Sequence, residues 1–101
     1  VAITTCPQVK TDAQLICAQV ADQLLTIRDV KASFVVGRNI DEKTVISARS
    51  LGDVNVQLIM EKFGGGGHLT TAAAQVEGSI QETVQKIMEI MEVKKDDSNL
   101  E

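Results

Sequence analysis

"VKASFVVGRNIDEKTVISARSL", Val30 to Leu51, decides how this chain folds. Its first half alternates, with Val30, Ala32, Phe34 and Val36 on one side of an extended backbone. Its second half, "KTVISARSL", alternates again after the polar stretch Arg38 to Glu42. Successive side chains of a strand point to opposite faces, so two such runs joined by a short polar connection predict an antiparallel hairpin. The pattern lengthens to a helical period on both sides of it. Upstream, Ile16, Val20, Leu24 and Ile27 recur on one face, and Thr11 with Gln14 has the spacing of a capping box, which predicts a helix from about Asp12 to Ile27. Downstream, Val56, Ile59, Met60 and Phe63 stand at i, i+3, i+4 and i+7, with Asp53 or Asn55 available as a cap and Gly64 where a helix ends.

The ends complete the order. "VAITTC" is β-rich and stopped by Pro7, which predicts a first strand. "AAAQVEG" reads as a strand mainly through Val76. Ser79 and Glu82 then box the start of a last helix, whose apolar stripe is Ile80, Val84, Ile87, Met88 and Met91. Residues 1–95 are expected to form one domain and residues 96–101 a disordered tail, with Leu100 and Glu101 read as a cloning remnant. The resulting order is β-α-β-β-α-β-α, an α/β fold. It predicts a mixed sheet of four to five strands covered by helices, with parallel neighbours across each strand-helix-strand crossover and one antiparallel hairpin.

Composition narrows the functions open to it. The chain has 101 residues, two Phe and neither Trp nor Tyr, so base stacking on exposed rings is nearly excluded. A net charge of -4 argues against long nucleic acid, which is held by rows of Lys and Arg that displace counterions. A small anion needs only one local cluster of donors. Cys6 and Cys17 are too few for a disulfide framework and are read as reduced thiols. No apolar run reaches the roughly 18 residues of a membrane span.

Within "EKFGGGGHLTTAAA", Gly64, Gly65, Gly66 and Gly67 run into His68, the only histidine. Ordering four glycines costs about 2 to 4 kcal/mol relative to alanines, at roughly 0.5 to 1 each. An ordered run would need compensation, and bare backbone can turn successive N–H groups onto an anion. A flexible spacer is the other reading, and the sequence leaves both open. His68 at the end of the run can donate to a phosphate oxygen in either charge state. A metal role is weak, because neither a second His nor a Cys stands nearby in sequence. In "KTVISARSL", Ser47 and Arg49 are co-facial, and a guanidinium matches phosphate through paired N–H donors. If the short second helix returns the chain to the same end of the sheet, these groups meet the glycines.

"SARSLGDVNVQLIMEKFGGGGHLTTAAAQVEG", Ser47 to Gly78, resembles the DHH-associated domain, the C-terminal half of DHH-type phosphoesterases. The resemblance implies a substrate-binding domain for a nucleotide phosphate, with Ser47, Arg49 and Ser50 in the strand motif and Asn55 at the helix start. It further implies Gly64 to Gly67 with His68 in the glycine motif, and Thr70 and Thr71, followed by Ala72, where the ligand approaches. The branch of the family it is most similar to opens cyclic di-AMP to linear pApA. Manganese and catalysis would belong to a preceding DHH domain of the same chain, so this part alone would be an inactive piece of a hydrolase. The ligand would be a cyclic or short linear dinucleotide. The domain would be cytoplasmic and make no direct membrane contact, within a parent anchored in the bacterial cell membrane, and a homodimer through an exposed sheet edge is open. The alternatives are a non-catalytic small-ligand sensor and a phosphoesterase of the RecJ or oligoribonuclease type acting on short oligonucleotides.

Overall fold

The computed structural model describes residues 1–10, 13–27, 29–39 and 41–100, with the backbone alone for residues 7–10 and 93–100. Five strands and three helices follow one another as β1 (Ala2–Lys10), α1 (Ala13–Leu24), β2 (Ala32–Asn39), β3 (Thr44–Ser50), α2 (Val56–Glu61), β4 (Gly66–Gly67), β5 (Thr71–Val76) and α3 (Ile80–Leu100). They build one mixed sheet in the order β1-β2-β3-β5-β4.

The hairpin read from the sequence is its centre. β2 and β3 pair antiparallel, with Phe34 opposite Ala48 and Val36 opposite Ile46. Asn39 closes the turn: its Oδ1 accepts from the backbone N–H groups of Asp41 and Lys43, both at 3.0 Å, while Glu42 adopts a φ of 62°. Residues 32 to 37 of β2 are all buried, because both faces of the sheet are covered. On one face α2 and α3 enclose Phe34, Ile46, Ile59, Met60 and Ile87; on the other, α1 encloses Val35 and Val45.

Four elements depart from the sequence reading. β1 does not stop at Pro7 but runs to Lys10, parallel to β2, with its register shifted between Cys6 and Val9. A proline is tolerated there because β1 is an edge strand and the irregularity absorbs the missing N–H. Helix α1 ends at Leu24, and its deepest residues are Ala13, Cys17 and Ala21, not the predicted stripe, whose Ile27 is 53% exposed. Small side chains let the helix axis approach the sheet closely, while Val20 and Leu24 pack at its flank. The predicted cap at Thr11 and the start at Asp12 lie outside the described residues. At the other end, α3 continues past Lys95 to Leu100.

The fourth departure shapes the site. The crossover through α2 does not place parallel strands side by side; it delivers the chain into β4, two glycines that pair antiparallel with β5, and β5 inserts between β3 and β4. β4 was illegible because glycine disfavours strands. Glycine is required on either side of Gly66, since a Cβ on Gly65 would lie 2.1 Å from the Ala73 carbonyl oxygen and one on Gly67 2.4 Å from that of Thr71.

Candidate functional site

β5 is buried on one face only. Ala72 and Ala74 face α2 and α3 and are buried, whereas Thr71 and Gln75 are exposed and Ala73 is half-buried on the α1 side. The cause is the reach of α1, which lies over β1, β2 and β3. What remains is an open shelf along β5 and β4, bordered by α1.

Register sets two of the predicted residues, Ser47 and Arg49, along the border of this shelf. Ser47 opposes Ala73, and Arg49 opposes Thr71. Ala73 in turn opposes Gly66, so Ser47, Ala73 and Gly66 form one row on the α1 side. With strands spaced about 4.8 Å apart, that row spans about 10 Å. The glycine run and the arginine strand therefore flank β5 on either side, on the same face of the sheet. His68 follows directly, its N–H donating to the Thr71 carbonyl at 2.6 Å across a tight turn through Leu69 and Thr70. His68, Thr70 and Thr71 are exposed at the end of the shelf.

α1 holds the two β3 side chains. The Gln14 amide Nε2 donates to the Ser47 hydroxyl at 2.9 Å, and Ser47 is fully buried. Arg49 Nε donates to Asp22 Oδ1 at 2.8 Å, and its Nη1 donates to the Ala48 carbonyl at 2.9 Å. Guanidinium carries five N–H donors. These two bonds leave both donors on Nη2 uncommitted among the described residues.

Ser50 and Asn55 lie elsewhere. Ser50 points to the α2 side, donates to the Val54 carbonyl at 2.7 Å and accepts from the Gly52 N–H at 3.2 Å, which shapes the loop into α2. Asn55 caps α2 by accepting the Leu58 N–H at 3.2 Å. Both are committed to the fold of this segment. Gly64, with φ 82°, ends α2, and the Gly65 N–H reaches back to the Met60 carbonyl at 2.9 Å.

Gly66 is different from its neighbours. A Cβ there would meet nothing within 4 Å, and its φ is not positive. It is half-buried and shares the shelf face with Ala73. β4 is the edge of the sheet; His68 and Thr71 exchange both backbone bonds, so by alternation Gly66 pairs with Ala73 and Gly67 turns its N–H and C=O away from β5.

A cleft of about 480 Å³ opens on the opposite face, between α2, the end of β5 and α3. Lys62 and Lys86 in its wall are outnumbered by Glu77, Glu82 and Glu89, which suits a phosphate poorly. Among the described residues no cluster of three or more His, Cys, Asp or Glu is placed to hold a metal ion. Among them, too, no helix is long and apolar enough to cross a membrane.

The family model "DHHA1 domain" matches residues 5–93. The chain is 56% identical over 77 residues to the cyclic-di-AMP phosphodiesterase GdpP of Geobacillus thermodenitrificans (strain NG80-2), covering 75% of this chain and 12% of that protein. It is 52% identical over 75 residues to GdpP of Bacillus subtilis (strain 168), covering 73% of this chain and 11% of that protein. The chain thus spans about an eighth of the length of these relatives. Among solved structures, a pGpG-specific phosphodiesterase, PggH from Vibrio, superposes with a TM-score of 0.52 at 21% identity, over 65% of this chain and 24% of the other, a likeness of fold. With the family model spanning nearly its full length and half of its residues in the aligned stretches shared with such relatives, the chain belongs to the DHHA1 domain family.

Proposed function

We propose that this domain binds the phosphate of a nucleotide for a DHH-type phosphodiesterase, and that the substrate of the complete enzyme is cyclic di-AMP, opened to linear pApA. The observation that carries this reading is Gly66. The fold does not need glycine there, yet the position faces an open shelf beside Arg49 and Thr71. A residue without a side chain at such a place lets an anion approach main-chain N–H groups. Arg49 supplies its free Nη2 donors, and His68, Thr70 and Thr71 supply further donors from the turn that ends the shelf.

Manganese and the hydrolytic step belong to a DHH domain elsewhere in the parent chain. The residues here do not fit a metal pair: a lone imidazole, with no clustered carboxylates among the described residues, is not a ligand set. The DHH domain is then the partner that closes the open shelf, in a parent anchored to the cell membrane with this domain on its cytoplasmic side.

The test uses the complete phosphodiesterase. Gly66→Ala is expected to raise KM for cyclic di-AMP at least tenfold while the domain's melting temperature stays the same or rises. An unchanged KM would sink the reading. The domain alone is expected to show no hydrolysis of cyclic di-AMP with added manganese.

A further inference from the structure

Helix α1 borders the shelf with one side that carries Gln14, Ala18 and Asp22, spaced i, i+4 and i+8. Residues at this spacing lie above one another on a helix. The two ends are fixed by contact: Gln14 bonds to Ser47 and Asp22 to Arg49, the adjacent α1-facing positions of β3. α1 therefore runs along β3 in the same direction. Between the anchors Ala18 projects only a methyl group, so nothing larger on this side of α1 separates the Gln14 amide from the Arg49 guanidinium.

The orientation of that amide is determined. Gln14 Nε2 lies 3.4 Å from the Ile46 carbonyl oxygen, a group that can only accept, as well as 2.9 Å from the Ser47 hydroxyl. The nitrogen therefore faces β3, and the amide oxygen faces away from it. Oε1 accepts no hydrogen bond among the described residues, and the Gln14 side chain is exposed. Beside Ser47 the sheet continues as Ala73 and then Gly66, the open shelf. An acceptor held at a fixed place over small residues is suited to a donor on a flat ring.

We propose that Gln14 reads the base of the bound nucleotide, its Oε1 accepting from the exocyclic amine of adenine. This rests on the nucleotide reading above. The chemistry discriminates at one atom: adenine carries an amine donor at its six-position, where guanine and inosine carry a carbonyl acceptor. A carbonyl there would meet the amide oxygen acceptor to acceptor. The phosphate sits farther along, at Arg49 Nη2 and the outward N–H of Gly67, and the small residues Ala73 and Gly66 leave room for the sugar between.

The 101-residue chain, labelled with ¹⁵N, is titrated with cyclic di-AMP and in parallel with cyclic di-IMP, its six-oxo counterpart. The expected result is that the Gly66 and Gly67 backbone amides shift with both, and that cyclic di-AMP binds about three- to tenfold tighter, the worth of one neutral hydrogen bond. Gln14→Ala and the near-isosteric Gln14→Met should bring that ratio close to one, while Gln19→Ala, exposed elsewhere on α1, should leave it unchanged. The ratio separates reading from support. If the Gln14 variants weaken both ligands equally, Gln14 merely positions Ser47 and the proposal fails; variants that bind as the wild type does overturn it as well. In either case glycine amides that still shift leave the phosphate site standing. If neither ligand moves the glycine amides, the nucleotide reading fails and this inference with it.

Discussion

Arg49 is held by Asp22 through a single charge-assisted bond of 2.8 Å, with the arginine side chain 13% exposed and the aspartate 65%. An exposed carboxylate contributes little to stability in such a pair, under about 1 kcal/mol. Its effect is on direction, since it takes Nε and leaves Nη2 without a partner among the described residues.

Direction and charge can be separated in the complete phosphodiesterase. Arg49→Lys keeps the charge but loses the planar fork, and is expected to raise KM for the dinucleotide about tenfold or more. Asp22→Asn should cost less, about two- to fivefold, because the carboxamide oxygen still accepts from Nε. Equal losses for the two variants, or none, would show that Arg49 does not face the ligand. Melting temperatures of both should fall by no more than about 8 °C, because the exposed carboxylate limits the pair to under about 1 kcal/mol.

The glycines divide into those that the backbone needs and one that it does not. Gly65→Ala places a Cβ 2.1 Å from the Ala73 carbonyl oxygen, and that oxygen belongs to backbone, which cannot swing away. Overpacking of this kind costs about 1 to 3 kcal/mol, so the melting temperature should fall by roughly 5 to 20 °C. Gly66→Ala should instead leave it unchanged or stabilise by about 0.4 to 1 kcal/mol, because alanine restricts the unfolded chain. Thermal melts of the two variants side by side decide this, and a destabilised Gly66→Ala would mean that Gly66 too is structural.

Much of this was legible in the sequence, for identifiable reasons. The hairpin, α2 and α3 follow from periodicity that tertiary packing reinforces, so Phe34, Ile59, Met60 and Ile87 are buried where the pattern puts them. The buried face of α1 was not, because Ala13, Cys17 and Ala21 carry a weaker apolar signal than Ile16 and Leu24 and are selected by close approach to the sheet. β4 was invisible to propensity. The pairing of Ser47 and Arg49 on one face was readable from alternation, but that Ser47 is taken up by Gln14 depends on a contact 33 residues away along the chain. Nor could alternation show that Ser50 and Asn55 are bonded into the loop and cap of α2.

Asn55 offers a direct test of cap against ligand. Its side-chain Oδ1 accepts the Leu58 N–H, one of the donors that a helix start leaves unpaired. Asn55→Ala should destabilise the domain by about 0.5 to 2 kcal/mol, and Asn55→Ser or Asn55→Asp should restore most of that. If the role is capping alone, Asn55→Ser should also leave KM for cyclic di-AMP unchanged in the complete enzyme. A KM raised in a stably folded Asn55→Ser would return Asn55 to the substrate site.

Cys17 gives the domain a predictable alkaline weakness. Its thiol is buried beneath α1 against Gly37, and desolvation, with Cys6 beside it, pushes its pKa up from 9.0 to about 12. Below pH 9 the thiol is protonated in the folded and unfolded chain alike, and the stability that burial confers is fully present. Above that, the unfolded chain releases the proton while the folded one retains it, so the unfolded state binds fewer protons and stability falls as pH rises. The slope approaches about 1.4 kcal/mol per pH unit until the folded thiol itself titrates. Urea melts between about pH 8 and 10.5 should therefore show a steeper loss for wild type than for Cys17→Ala. The comparison is of slopes, since the cavity left by the substitution lowers stability at every pH. In the same range the folded domain should react with a small alkylating reagent at the half-buried Cys6, with Cys17 modified only on unfolding. Parallel slopes, or alkylation of Cys17 in the folded state, would show that this thiol reaches solvent and that α1 does not seat on the sheet as tightly as its small residues allow.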